Sequence, residues 1–308
     1  MTHKVIIHYP YKCFSSTSGD VFKDLDIFYT NLQKVLINLN ITYTMIDTMA
    51  VNYNIANPDP NKIYLGYQIY DIINKNIWCI KTSYLPGYVY MDPTGYSKWA
   101  YITSHKELFD KSQTMDFKQS QKTIHEYAAF YKNNNLSRLP QPKKELVHLS
   151  MPYFLYTYQN WYDDNNVYAI ANYLHINGYK LVVKYHPKLR QNSRTLLPHD
   201  NIIIKNDSIH ALIPNASGII STNSGVCFEA LLYDKHIFTF GESDYEYVTH
   251  KLTIDTINTI IPLSMLPFNY ELIYKYIYYL MEHYWVNVTD VNKIQNRMQK
   301  ILENSTIF

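Results

Sequence analysis

The stretch Ile213–Ser243, IPNASGIISTNSGVCFEALLYDKHIFTFGES, decides how the rest of the chain is read. It has the pattern strand, turn, helix, strand, turn. Gly218-Ile219-Ile220 is a short apolar run between turn formers, as in a buried parallel strand. Ser221, Thr222, Asn223 and Ser224 follow as four candidate N-cap residues, with Gly225 beside them. From Val226 onward Phe228, Ala230, Leu231 and Leu232 recur at helical spacings. Asp234-Lys235 closes that helix, and His236–Phe240 is the next strand, stopped by Gly241. A helix that starts at the carboxyl edge of a parallel sheet exposes unpaired N–H groups and partial positive charge. Hydroxyls around it add donors, so the turn can receive a phosphate. Glu229 lies one to two turns down, where a carboxylate could reach ribose hydroxyls. An ordinary capped helix of an α/β protein has the same pattern, so a second motif is needed.

That motif lies upstream in Lys180–Arg190, KLVVKYHPKLR. A strand ends here at Tyr185-His186-Pro187, with Lys184, Lys188 and Arg190 around it. Proline stops the strand and leaves His186 at its carboxyl end, where open α/β sheets place ligands. A histidine flanked by cations is a candidate phosphate clamp, and a lone His-Pro pair can equally be incidental. The two motifs follow one another at about the length of a βαβ unit.

Taken together, the His-Pro at a strand end and the Ser/Thr-rich turn running into Phe228-Glu229-Ala230-Leu231-Leu232 resemble the capsule-polysaccharide family of bacterial glycosyltransferases. That family includes Kdo transferases, and its His-Pro motif is shared with several bacterial sialyltransferases. The resemblance covers roughly Leu146–Tyr247. It implies a GT-B fold: two Rossmann-like domains facing a cleft, with C-terminal helices crossing back onto the first. It also implies inverting, metal-independent transfer of a sugar from a CMP-sugar to a glycan acceptor. The nucleotide-sugar is then a substrate, and no cofactor or metal is called for. Lys184, His186, Pro187, Arg190, Ser221, Thr222, Asn223, Ser224 and Glu229 would hold the nucleotide and its phosphate. The chain departs from the family pattern where Cys227-Phe228 follows Gly225-Val226 and where Lys235-His236 replaces Gly-Lys-Pro. The same segment also resembles the Ser-Gly-Gly helix of UDP-GlcNAc 2-epimerases and the corresponding turn of teichoic-acid glycerophosphotransferases. An epimerase would need paired acidic residues after Ser-Gly-Gly, which are missing here. A non-catalytic protein that binds glycans or nucleotide-sugars stays open as a third reading.

The 308 residues are enough for two domains of ordinary size. With 28 basic and 26 acidic residues, the charge offers no bulk case for nucleic acid. Three cysteines, Cys13, Cys79 and Cys227, show neither metal nor redox spacing, in keeping with the reducing cytoplasm. The 32 tyrosines follow a compositional bias and are not read as function.

The chain opens on a short strand around Val5-Ile6-Ile7, too short an apolar run for a signal sequence. A Ser/Thr/Gly loop, Pro10–Asp20, leads into a helix at Val21–Asn38. Further strands are expected at Ile41–Ile46, Lys62–Gly66 and Ile77–Lys81, with a helix at Tyr67–Asn74. Thr82–Trp99, TSYLPGYVYMDPTGYSKW, reads as an aromatic-rich loop with a strong turn at Asp92-Pro93-Thr94-Gly95. Aromatic rings stack on sugar faces and a carboxylate binds hydroxyls. Asp92 is therefore the first candidate for the base that deprotonates the acceptor, with Asp20 second. Asp92 as a plain turn residue fits the same pattern.

Helices are expected over His105–Lys132. The polar stretch Asn133–Lys144 then reads as a linker, which gives domains at 1–135 and 146–268 and terminal helices at 269–308. Phe154–Tyr158 begins the second sheet, Val167–Ile176 is a helix, and Ile202–Lys205 is another strand. Asp163-Asp164 lack the companions of a metal site and mark a helix start. No apolar run approaches the length needed to span a bilayer. Phe268–Tyr284 could touch a membrane surface, but its few cations favour packing. Oligomeric state is not encoded in any motif found here.

Overall fold

Short apolar runs separated by amphipathic helices build two six-stranded sheets, one in each of two compact units. In this computed structural model, residues 4–10, 20–48, 55, 57–137, 151–158, 164–186 and 196–303 are described, without the side chains of 20–21, 136–137 and 164. The chain runs through β1 (Lys4–Pro10), α1 (Asp20–Asn38), β2 (Thr42–Thr48), β3 (Lys62–Tyr67), β4 (Ile77–Thr82) and β5 (Tyr88–Asp92). Three helices follow: α2 (Tyr101–Ser104), α3 (Lys106–Ser112) and α4 (Phe117–Ser137). Next come β6 (Tyr153–Tyr158), α5 (Asp164–Ile176), β7 (Lys180–Tyr185), β8 (Ile202–Ile204), α6 (Ile209–Leu212), β9 (Ile219–Ser221) and α7 (Gly225–Leu231). The remainder is β10 (Ile237–Thr239), β11 (His250–Lys251), α8 (Ile260–Ser264), α9 (Tyr270–Tyr279), β12 (Val286–Asn287) and α10 (Val291–Leu302). A π-helical turn, Leu280–Tyr284, sits between α9 and β12.

One unit comprises Met1–Met115 with Tyr276–Phe308, the other Asp116–Lys275. The first sheet has the order β12-β5-β4-β3-β1-β2. β2, β1, β3 and β4 are parallel, while β5 and β12 run antiparallel to their neighbours. The second sheet, β11-β10-β9-β6-β7-β8, is parallel throughout. Numbered within its own unit this is the doubly wound order 3-2-1-4-5-6 of Rossmann domains. The chain is therefore an α/β protein of two Rossmann-like units, with a C-terminal segment that returns to the first, as the GT-B expectation requires.

Parallel sheets are covered on both faces, so their central strands are apolar at every position. β6 is buried along its whole length, from Tyr153 to Tyr158. In the first unit α1 buries Leu25, Phe28, Tyr29, Leu32, Val35 and Leu36, a stripe of helical period, in one core with Val5, Ile7 and Leu65. α10 adds Ile294, Met298 and Ile301 to that core. At about 1.5–3 kcal/mol for each fully buried large side chain, those three are enough to hold the returning helix in place.

Four expectations are corrected. The helix at Tyr67–Asn74 is absent: Gln68 and Asp71 have φ of 54° and 56°, left-handed values that interrupt a right-handed helix. Their segment is tied instead to its surroundings by Gln68 N–H to Ile80 O (2.9 Å) and Ile72 N–H to Thr94 O (3.0 Å). The supposed loop Thr82–Trp99 contains β5, every residue of which is buried. Its turn formers, Pro86 and Gly87 (φ 86°), make the hairpin that pairs β4 with β5. The helix placed over Phe268–Tyr284 ends at Tyr279 and widens into the π-helical turn.

Finally, the units divide at Met115/Asp116 and Lys275/Tyr276, not at 135/146 and 268/269. The physical reason is α4, which packs within the second unit. Tyr131 reaches Glu229 and lies edge-on to His210, and His125 meets Tyr274. Residues 133–137 continue that helix, and 138–145 lie outside the described residues.

Candidate functional site

In the second sheet the chain first winds β6-β7-β8 to one side and then crosses to β9 on the other. The carboxyl ends of β6 and β9 therefore form a topological switch point, where open α/β sheets bind ligands. Register places Thr157 beside Ser221 and Tyr158 beside Tyr185. The expected strand, turn and helix follow at Ile219–Ser221, 222–224 and Gly225–Leu231.

The turn is braced from within. Ser221 is fully buried; its Oγ donates to Thr157 O (3.2 Å) and accepts from Ser224 N–H (3.3 Å). Ser224 caps α7 by accepting from Val226 N–H (3.4 Å), and its carbonyl receives Tyr245 OH at 2.7 Å. Phe240 N–H and Gly241 N–H donate to Ser221 O (3.0 Å) and Thr222 O (2.8 Å), locking the turn to the end of β10. A Cβ on Gly241 would stand 3.0 Å from Thr222 O, a tight contact that glycine avoids where the two backbones come this close. Thr222 and Asn223 are partly exposed at the tip.

A small hollow opens at this edge, lined by Thr157, Tyr158, Lys184, Tyr185, His186, Ile209, Ser224 and Val226. It brings His186 and Lys184, from the end of β7, together with Ser224 of the turn. His186 is exposed, and its backbone N–H donates to Tyr158 O (2.8 Å), which fixes the chain as it leaves the sheet. The Lys184 ammonium donates to Asp207 O at 2.7 Å and so also holds the segment before α6. Pro187 and Arg190 lie outside the described residues.

The remaining candidates stand elsewhere. Ser221 is an internal brace, because its fully buried hydroxyl is engaged on both sides by the protein. Glu229 does not line the hollow. It stands one turn beyond Val226, and its Oε2 accepts from Tyr131 OH at 2.5 Å. Burial pushes its pKa up to about 7, against the opposing pull of the Tyr131 hydrogen bond. Asp20 is the first residue of α1, and its side chain lies outside the described set.

Asp92 is wholly buried at the end of β5, and its place as a base exposed to substrate is corrected. Its Oδ1 accepts from Thr94 N–H (2.8 Å), Thr94 Oγ1 (3.0 Å), Gly95 N–H (2.9 Å) and Tyr101 N–H (3.2 Å). Its Oδ2 accepts from Tyr101 N–H (3.2 Å) and from Tyr284 OH in the π-helical turn. Burial raises its pKa and the donors lower it. Beside it the buried Arg297 donates to Met91 O, His283 O and Tyr284 O at 2.9–3.1 Å, with its pKa lowered by burial to about 10. These contacts tie the returning segment to β5. They are structural.

A larger cavity, about 320 Å³, lies at the amino ends of β10 and β11, the opposite edge of the sheet, between Leu231, His236, His250 and Phe268. Its polar groups are already paired: His236 Nε2–H donates to Leu266 O (2.9 Å), which leaves His236 Nδ1 to accept from His250 Nε2–H (3.2 Å). Among the described residues no group of three or more His, Cys, Asp or Glu could hold a metal ion, and no helix is long and apolar enough to cross a membrane.

Sequence reasoning passed over Tyr131, 98 residues from its partner Glu229, and the hollow's walls at Thr157, Tyr158 and Tyr185. Tyr158 and Tyr185 could have been found as the last residues of two strands ending at one sheet edge. Tyr131, one tyrosine among 32 in a stretch read as part of the first domain, carried no such signal.

No family model and no curated protein matches the chain. Its backbone is similar to the β-Kdo 2,7-transferase of Thermosulfurimonas dismutans KpsC, with a TM-score of 0.49 and 14% identity over 95% of this chain and 99% of that one. It is also similar to a glycosyltransferase from Rickettsia africae, at a TM-score of 0.43 and 12% identity over 99% and 100% of the two chains. A third similar structure is the Methanocaldococcus jannaschii UDP-GlcNAc 2-epimerase in complex with UDP-GlcNAc and UDP, at a TM-score of 0.36 and 12% identity over 99% and 100%.

Proposed function

We propose that this protein is a GT-B glycosyltransferase of the capsule-polysaccharide type, moving a sugar from a CMP-sugar to a glycan acceptor with inversion and without a metal. The observation that carries the reading is the hollow at the switch point of the second sheet, where His186, Lys184 and Ser224 converge. Two groups that can donate and one ammonium at the carboxyl edge of a parallel sheet suit a phosphate. As the acceptor oxygen attacks the anomeric carbon, the bond to the donor phosphate breaks and negative charge grows on the leaving nucleotide. His186 and Lys184 would stabilise that charge, the role a preorganised donor set plays best. Glu229 would accept from the ribose hydroxyls. With Asp92 enclosed, the second candidate, Asp20, the first residue of α1, would take the acceptor's proton.

Calorimetry with CMP, UDP, GDP and CDP tests the reading. One of them, CMP first, should bind, and His186→Ala should weaken it roughly 10- to 150-fold, the loss of a hydrogen bond to a charged group at about 1.5–3 kcal/mol. The unfolding midpoint should not move. Unchanged affinity in His186→Ala, or no binding of any of the four, would refute the phosphate site.

A further inference from the structure

Glu229 and Tyr131 form a short side-chain hydrogen bond, and the sequence motif explains only one of them. Tyr131 comes from α4 and donates its hydroxyl to Glu229 Oε2 at 2.5 Å. Glu229 Oε1 has no partner among the described residues. Glu229 is carried by the helix that walls the hollow. Val226, which lines it, is three residues earlier on α7, hence on the same helix face. α6 makes the same link from the other side: Ile209 lines the hollow, and His210 lies edge-on to the Tyr131 ring, centroids 5.5 Å apart.

We propose that Tyr131 is a positioning residue for nucleotide recognition: it holds one oxygen of Glu229 so that the other is presented to the ribose 2′- and 3′-hydroxyls of a nucleotide seated at His186 and Ser224. This rests on the nucleotide reading given above. A carboxylate held at one oxygen keeps a fixed rotamer, so the hydroxyls meet a preorganised acceptor. A ribose diol offers two donors to that oxygen and its lone pairs, whereas a 2′-deoxyribose offers one. Tyr131 thereby sets the preference for ribonucleotides.

The presentation works only while Glu229 is ionised, since a protonated carboxyl has lost acceptor capacity. The titratable groups around it are Tyr131, Tyr127 and Lys132 on α4, His210 on α6, Tyr233 and Lys235 after α7, and Cys227 on α7 itself. Burial raises the Tyr131, Tyr233 and Cys227 values and lowers that of His210, so these four are neutral near pH 7. Lys132 lies over the Tyr233 ring at 5.0 Å, and Lys235 donates to Pro214 O at 2.8 Å. Neither pairs with Glu229. The one group that favours its ionised form by direct contact is Tyr131.

The experiment pairs two readouts on wild type, Tyr131→Phe and Glu229→Gln. Carbon NMR of glutamate-labelled protein follows the Glu229 titration, assigned from its absence in Glu229→Gln. Calorimetry measures whichever of CMP, UDP, GDP or CDP binds, against its 2′-deoxy form. Tyr131→Phe keeps the ring between His210 and Tyr127 and removes only the hydroxyl. It should raise the Glu229 titration midpoint. It should also cut a ribo-over-deoxy preference of about tenfold at pH 8 to near unity, weakening the ribonucleotide more than its 2′-deoxy form. In the Glu229→Gln background it should have no further effect on that preference. An unmoved midpoint overturns the contact. A raised midpoint with the preference intact overturns the presentation. A raised midpoint in a protein that binds none of the four nucleotides shows that the nucleotide reading itself fails, and the ribose role with it.

Discussion

Asp92→Asn separates structural from catalytic roles at the end of β5. The amide keeps one oxygen, which can stay with Thr94 and Gly95, three of the donors now on Oδ1. Its NH2 must then replace Oδ2, where it meets the N–H of Tyr101 and the hydroxyl of Tyr284. Tyr284 already accepts from Ile102 N–H at 3.0 Å, and its own proton loses the Asp92 carboxylate as acceptor. The charge-assisted hydrogen bond of Tyr284 is lost and that of Tyr101, which is shared with Oδ1, is weakened, at up to about 1.5–3 kcal/mol each. Removing a wholly buried charge returns part of that, since burial opposes its ionisation. The net expected loss is about 2–3 kcal/mol, read as a lower midpoint in urea. Nucleotide affinity should be unchanged, because the hollow is built from other residues. A catalytic base would behave in the opposite way, with turnover down about 100-fold or more at unaltered stability. That outcome, or a wild-type urea midpoint, would refute the structural assignment.

Glu229→Gln should stabilise the protein in a pH-dependent way. The folded value of about 7 exceeds the ordinary 4.5, so between them the folded state holds more protons than the unfolded, and wild type loses stability as pH rises. At about 1.4 kcal/mol per pH unit the variant should gain about 3 kcal/mol on wild type from pH 4.5 to 7 and no more above it; an unfolding difference that is flat with pH would contradict this. Gly241→Ala should push Thr222 away and shift the 222–224 turn. Overpacking predicts a loss of about 1–3 kcal/mol together with several-fold weaker nucleotide binding, and calorimetry at wild-type affinity would show the turn to be uninvolved.

What was legible in the sequence is what local chemistry decides. The run Gly218–Gly241 declared its strand, turn, helix and strand because turn formers bracket short apolar stretches; the strand edges fall within a residue of β9 and β10, while α7 ends at Leu231, before the Asp234-Lys235 expected to close it. His186 was found because proline ends its strand. β5 was missed because Pro86, Gly87, Pro93 and Gly95 crowd five strand residues between two turns, and aromatic density then looked like a loop. The Tyr67–Asn74 segment failed for another reason: nothing in its composition announces two left-handed residues. Asp92 and Tyr131 are harder still. The partner of the first is 192 residues away and that of the second 98, and only the folded chain brings them together.

The antiparallel pairing of Val286-Asn287 with Val89-Tyr88 also has a consequence on the ribosome. Translation delivers about 5–20 residues per second, so β5 emerges well before the strand that covers its outer edge. Until β12 and α10 arrive, that edge is an open row of backbone donors and acceptors on an apolar strand, the kind of surface that recruits other chains. Asp116–Lys275, contiguous in the chain, can close its own sheet meanwhile. The half that is translated first is completed last, and during that interval β5 is the segment a nascent-chain chaperone would have most reason to hold.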